Sequence, residues 1–200
     1  MGKVLIFNGS PRAPRSNSKR YAELFRSVYE GSVAVEAILG QNGPELCAKL
    51  AVYTDVVLAF PLYVDCLPVV LLNFLKCLEE HPPANKPTVH VLINCGFIEP
   101  EQNEVCIDMV RLFCRQNGYP FGSALSIGGG EAILDTPFKF LVVWKLKALS
   151  RAILRGQPQA LSVTMLLSKK AFINASTRYW LQSGQKNGIG QAQMETMDYE

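Results

Sequence analysis

Short apolar runs that alternate with helically patterned segments predict an α/β fold, a parallel sheet covered by helices on both faces. Three observations carry the prediction. Five apolar runs between Val4 and Ile127 are each followed by a polar loop and then by apolar residues at helical spacing. The run Asp55–Phe60 is apolar on both faces, as in a strand of a buried parallel sheet. Strand–helix–strand units connect by right-handed crossovers, which places the helices over the sheet rather than beside it.

The elements follow in order. Val4–Phe7 reads as a buried strand. After a polar loop, Tyr21, Leu24, Phe25 and Val28 mark a helix over 20–29, and Ser16, Asn17 and Ser18 are all suitable N-caps for it. Val33–Leu39 is a second strand with poor alternation. The turn at 40–44 ends in Pro44, which suits a first helical position, and Leu46, Leu50 and Tyr53 mark a short helix. Asp55–Phe60 is the third strand and Pro61–Pro68 a loop. Val69–Leu78 is a helix that Pro82-Pro83 stops. Thr88–Asn94 is the fourth strand, and Glu101–Gln116 a helix with Val105, Met109, Leu112 and Phe113 on its apolar face. Ser123–Ile127 is the fifth strand, and Phe138–Leu154 a fifth helix.

Beyond Pro158, the residues Phe172, Ala175, Tyr179 and Trp180 suggest one more helix, ending near Gly184 or Gly188. The domain reading is a core domain over 1–157 and a helical extension over 158–200. The helix at 138–149 is apolar nearly all round, so one face suits the sheet and the other needs cover. The tail, a second subunit or a membrane surface would serve. The basic and apolar faces separate too poorly for a membrane surface, which leaves the tail or a homodimer.

Composition excludes several classes. A net charge of +3, with basic residues scattered except for Lys145, Lys147, Arg151 and Arg155, does not suit nucleic acid. No run approaches the ~18 apolar residues of a membrane span. The apolar run Val4–Phe7 is too short for a secretory signal, so a cytoplasmic location is expected. The six cysteines form no C-x-x-C and read as buried free thiols. Cys106 and Cys114 share a helix face without a histidine, so no metal site is expected. His81 is isolated, and His90, inside an apolar strand, reads as a core or edge histidine.

Four loops follow predicted strands and belong at one end of the sheet, where open α/β folds bind ligands. The first, Asn8–Ser18, sets Ser10, Arg12, Ser16, Asn17 and Ser18 at a helix start. Unpaired helix N–H groups with hydroxyl, amide and guanidinium donors make a phosphate cradle, although the same composition suits a capped surface loop. Neither G-x-x-x-x-G-K-[ST] nor G-x-G-x-x-G is present, which excludes the commonest nucleotide loops. The second loop holds Pro61, Leu62, Tyr63, Val64, Asp65 and Cys66, where Tyr63 offers a flat apolar face. The third offers Gly96 for close approach and Phe97 for stacking, and the fourth is Gly128, Gly129, Gly130 and Glu131.

Taken together, G-S-P-R…S-N-S, F-P-L-Y-V-D, N-C-G-F-I-E and G-G-G-E resemble the NAD(P)H-dependent FMN reductases of the flavodoxin-like flavoproteins over about residues 3–155. The resemblance implies a three-layer sandwich with five parallel strands in the order 2-1-3-4-5. It also implies bound FMN, electron transfer from NAD(P)H to a small acceptor such as a quinone or free flavin, and a homodimer. It places the flavin phosphate at Ser10, Arg12, Ser16, Asn17 and Ser18. The ring then lies between Pro61–Asp65 and Gly96–Phe97 with Gly128–Glu131, with Cys66 either at the flavin or structural. No acid–base dyad is present, and flavin chemistry does not require one. Two other readings stay open. A flavodoxin-type electron carrier would have no substrate of its own, although such carriers are usually acidic and this sequence has a pI near 8.5. A flavin-free descendant of the fold is the other.

Overall fold

The computed structural model describes residues 2–13 and 15–196. Its sheet is parallel throughout, in the order β2-β1-β3-β4-β5-β6. The strands are β1 (Lys3–Asn8), β2 (Ser32–Ala37), β3 (Asp55–Pro61), β4 (Thr88–Asn94), β5 (Phe121–Ile127) and β6 (Ala160–Val163). Between them run α1 (Asn17–Val28), α2 (Gly43–Lys49), α3 (Val69–Glu80), α4 (Glu104–Asn117) and α5 (Lys139–Leu154).

Side-chain alternation along the strands divides the core into two layers. Leu5 and Phe7 of β1, with Val56, Leu58 and Phe60 of β3, join one cluster with Leu46 of α2, Leu71, Phe74 and Leu75 of α3, and Val110 of α4. Val4 and Ile6 point the other way, where α1 and α5 pack together and Tyr21, Phe25, Val142, Leu146 and Leu149 are buried. The central strands are buried along nearly their whole length, as the apolar run at 55–60 predicts.

The sheet has six strands where the sequence reading has five. Ala160–Val163, placed in the helical extension by that reading, pairs with β5 from Ala124↔Ala160 to Ile127↔Val163. Its four residues are too few to display a period, and only Val163 is buried. The chain divides after Met165 into two compact units, so β6 lies in the first. The second holds α6 (Lys169–Lys186), whose N-cap Ser168 accepts the Ala171 N–H at 3.2 Å, and α7 (Gln191–Met194). Gly188, at φ 73°, occupies the left-handed position just past α6. Phe172, Trp180, Leu181 and Met194 line a hollow of about 330 Å³ within this unit. Among the described residues, no helix is long and apolar enough to cross a membrane.

His90 has a structural place inside the sheet. It pairs through Nε2 with Asp55 Oδ1 at 3.1 Å, while Nδ1 accepts the Ser123 N–H at 2.9 Å, which fixes the tautomer with the proton on Nε2. Burial pushes the Asp55 carboxyl upward, but hydrogen bonds from His90 and Thr54 outweigh it and hold the group below its ordinary value. A carboxyl depressed in the folded state stabilises the fold above the unfolded-state value near ~4 and loses that contribution as pH falls through the folded value. Urea unfolding of the wild type should therefore lose stability in acid more steeply than that of Asp55→Asn. Parallel acid profiles would remove Asp55 from this account.

Candidate functional site

Because β1, β3, β4 and β5 run parallel, the loops after them emerge at one end of the sheet. They are strapped together by backbone hydrogen bonds. Gly9 N–H donates to Ala59 O at 2.9 Å, Leu62 N–H to Asn94 O at 2.8 Å, and Cys95 N–H to Ile127 O at 3.0 Å. Gly129 and Gly130 N–H donate to Phe97 O at 2.5 Å and Cys95 O at 2.7 Å. All four predicted loops thus form one contiguous rim.

In the first loop, Asn8 Oδ1 accepts the Ser10 N–H at 3.1 Å and Ser10 Oγ accepts the Arg12 N–H at 3.2 Å, a tight local turn. Ser16 is the N-cap of α1: its Oγ accepts the Lys19 N–H at 3.2 Å and an Asn8 amide hydrogen at 3.3 Å. Arg12 and Arg15 are exposed, and neither has an acidic partner among the described residues. Two unpaired guanidinium groups beside a capped helix N-terminus form an electropositive cradle. Ser10 and Ser18 are buried, and Ser18 Oγ accepts an Asn94 amide hydrogen at 3.1 Å. Asn17 donates to Glu131 O at 3.3 Å, and Arg20 bridges Asn17 Oδ1 and Asp135, which ties α1 to the loop after β5.

The second loop closes on itself. Tyr63 and Cys66 exchange two backbone hydrogen bonds of 3.1 Å around Val64 (φ 49°) and Asp65 (φ 53°). Two successive left-handed residues define a type I′-like turn, a geometry that asparagine and glycine favour. A β-branched valine there costs about 1–3 kcal/mol. Val64 is 88% exposed, Tyr63 55% and, in the third loop, Phe97 51%, so the rim presents uncovered apolar groups. Val64→Asn should raise stability by about 1 kcal/mol in chemical denaturation, since the side chain leaves no core contact behind. An equal or lower stability would show that the turn is not strained.

The glycine triplet packs against the neighbouring loop. Gly128, Gly129 and Gly130 are buried, and only Glu131 is exposed. A Cβ on Gly128 would stand 2.5 Å from Ile98 O, and one on Gly130 2.7 Å from Asn94 Cβ. The close approach that these glycines permit is to the neighbouring loop. A Cβ on Gly96 would meet nothing within 4 Å, so there the backbone faces open space.

Two supporting residues lie outside the candidate site residues read from the sequence. Tyr21 lies in the core and donates its hydroxyl to Gly130 O at 2.7 Å, while burial drives the phenol upward from its ordinary value. Asn94, also buried, joins Ser18 Oγ to Phe60 O, the latter at 3.2 Å. Each looks like an ordinary helix or strand residue in sequence. Only an amide at the end of an otherwise apolar strand hints at Asn94. Cys66 is half-buried in the second loop, and burial pushes the Cys95 thiol up to about 11.

No family model matches the chain, and no curated protein does. Solved structures do. An NAD(P)H:quinone oxidoreductase from Methanothermobacter marburgensis superposes with a TM-score of 0.58 at 14% identity, over 76% of this chain and 96% of its own. An FMN-dependent NADH-azoreductase from Bacillus anthracis in complex with FMN gives 0.54 at 13%, over 76% and 99%. A flavodoxin from Streptococcus pneumoniae gives 0.54 at 14%, over 76% and 99%. The chain spans 36% of a larger match, the rubredoxin oxygen:oxidoreductase from the anaerobe Desulfovibrio gigas. The fold is therefore flavodoxin-like, with β6 added at one edge of the five-stranded core order.

Proposed function

We propose that the protein is an FMN-dependent oxidoreductase that passes electrons from NAD(P)H through bound flavin to a small acceptor such as a quinone or free flavin. One observation carries the reading. An electropositive helix start, with two arginines that have no acidic partner among the described residues, stands on the same rim as the exposed Tyr63, Val64 and Phe97. A phosphate at one end and a flat apolar body at the other match those two halves. The quinone oxidoreductase and the FMN-dependent azoreductase that share the fold support it.

The donor set fits FMN. Arg12 and Arg15, with the first N–H groups of α1, would hold its phosphate dianion. Ser16 caps α1 through the Lys19 N–H, and Ser10 and Ser18 are buried in the same segment. Tyr63 and Phe97 would flank the ring, and Gly96 would let it settle on the backbone. The cofactor, when bound, supplies the hydride chemistry. The chain's own part is to hold the ring at one depth, keep water from one face and leave the other open to nicotinamide or acceptor.

A flavodoxin shares the fold, so an electron carrier is the second reading. The pI near 8.5 counts against it. Purified protein should carry the visible absorbance of a flavin and oxidise NAD(P)H when a quinone is added. Bound flavin without NAD(P)H oxidation would establish the carrier, and protein that binds no FMN would refute both. The proposal places the enzyme in the cytoplasm.

An isologous homodimer completes the proposal. Phe140 and Trp144 on α5 are exposed, as are Ile173, Tyr179 and Trp180 on α6. Each set of exposed aromatics, that of α5 and that of α6 taken separately, suits a twofold interface. Light scattering at micromolar concentration should give twice the mass of the chain, and Trp144→Glu should shift it to monomer. A wild-type monomer would refute the dimer.

A further inference from the structure

Away from the rim, two cysteines from different helices meet. Cys47 on α2 and Cys77 on α3 bring their Sγ atoms to 3.8 Å, with no bond between them. A disulfide needs about 2.05 Å, so the two sulfurs must close by less than about 2 Å to bond. Cys47 is buried in the core cluster, whereas Cys77 is half-exposed. His81, at the end of α3, holds Nδ1 3.8 Å from Cys77 Sγ and 3.3 Å from the Cys77 carbonyl oxygen. The pair therefore has an outer thiol beside a base and an inner thiol behind it.

We propose that Cys47 and Cys77 form a reversible disulfide, with a hydroperoxide as the oxidant. Cys77, reached from solvent, gives its thiol proton to His81 Nδ1 in the tautomer that carries its own proton on Nε2. Its sulfur attacks the nearer peroxide oxygen, the O–O bond breaks, and the leaving oxygen takes a proton to give water or an alcohol. Cys77 is then a sulfenic acid. The Cys47 sulfur attacks the Cys77 sulfur, the S–O bond breaks, and the second water leaves with the Cys47 proton. The dithiol loses two electrons, and the peroxide gains them.

The order of the two thiols follows from their surroundings. Burial, with the contact to Cys77, pushes the Cys47 thiol up to about 12, so it is a poor first nucleophile and serves as the resolving thiol. Of the other four cysteines, Cys95, Cys106 and Cys114 are buried, and only Cys66 is half-exposed. The bond would fasten α2 to α3 and close a segment of about 30 residues, which constrains the unfolded chain.

Hydrogen peroxide is the probe. Treated protein should lose two thiols and 2 Da, and non-reducing digestion should link Cys47 to Cys77. The thermal midpoint should rise by about 10 °C and return after a thiol reductant. Cys47→Ser should instead trap a sulfenic acid at Cys77 that a dimedone probe labels, and Cys77→Ser should form no link. His81→Gln should slow linkage about tenfold or more. Two free thiols at Cys47 and Cys77 after peroxide has oxidised Cys66 would overturn the proposal, as would a Cys77→Ser protein in which peroxide still links Cys47 to another cysteine with the same rise in the thermal midpoint.

Discussion

Arg12→Ala should weaken FMN binding by about 10- to 150-fold, the loss expected for one charge-assisted hydrogen bond to a phosphate. Arg15→Ala should have a similar effect, because both guanidinium groups stand exposed at the start of α1 without an acidic partner among the described residues. Neither change touches the core, so unfolding curves of the apoprotein should match the wild type within about 0.5 kcal/mol. The affinity should also fall with salt, since the interaction is between charges at a surface. Fluorescence titration of FMN into the apoprotein measures both effects. Wild-type affinity in both variants would move the phosphate to another place on the rim.

Gly128→Ala should lower stability by about 3 kcal/mol and the thermal midpoint by roughly 6–12 °C. The new Cβ would stand 2.5 Å from Ile98 O and 2.9 Å from Thr164 Oγ1, and the first of these is backbone that cannot rotate aside. The clash falls between two loops of the rim, so the variant should bind FMN less tightly as well as unfold earlier. Gly96→Ala is the informative contrast. Nothing lies within 4 Å of its Cβ, so its stability should hold while FMN affinity falls if the ring rests on that backbone. A stable Gly128→Ala would show that the two loops are not packed as described. Gly96→Ala with unchanged affinity would place the ring elsewhere.

The difference between these two glycines marks what was legible in advance. The order of elements as far as α5 was, because each rests on local pattern. Thr88–Asn94 is the same strand in sequence and structure, and the helix expected at Val69–Leu78 runs to Glu80. The four loops were legible as loops, since glycine, proline, serine and asparagine interrupt the apolar runs there. Their gathering at one end then follows from parallel strands alone. What each loop residue does was not legible. Ser16 and Ser18 look alike in sequence, yet one caps α1 and the other is buried against Asn94. The turn at Val64 and Asp65 carries no turn signature, because the usual asparagine and glycine are missing.

The sequence by itself determined the class of the fold, the order of its elements as far as α5 and the end of the sheet to which the loops after the strands belong. Those depend on periodicity and on breaker residues within a few positions of one another. Tertiary structure alone decided that β6 joins the sheet, that Gly128 and Gly130 serve loop packing, that His90 pairs with Asp55 and that Cys47 meets Cys77. Each of these joins residues far apart in the chain. A contact of that kind is set by how whole elements pack, and no window of neighbouring residues contains it.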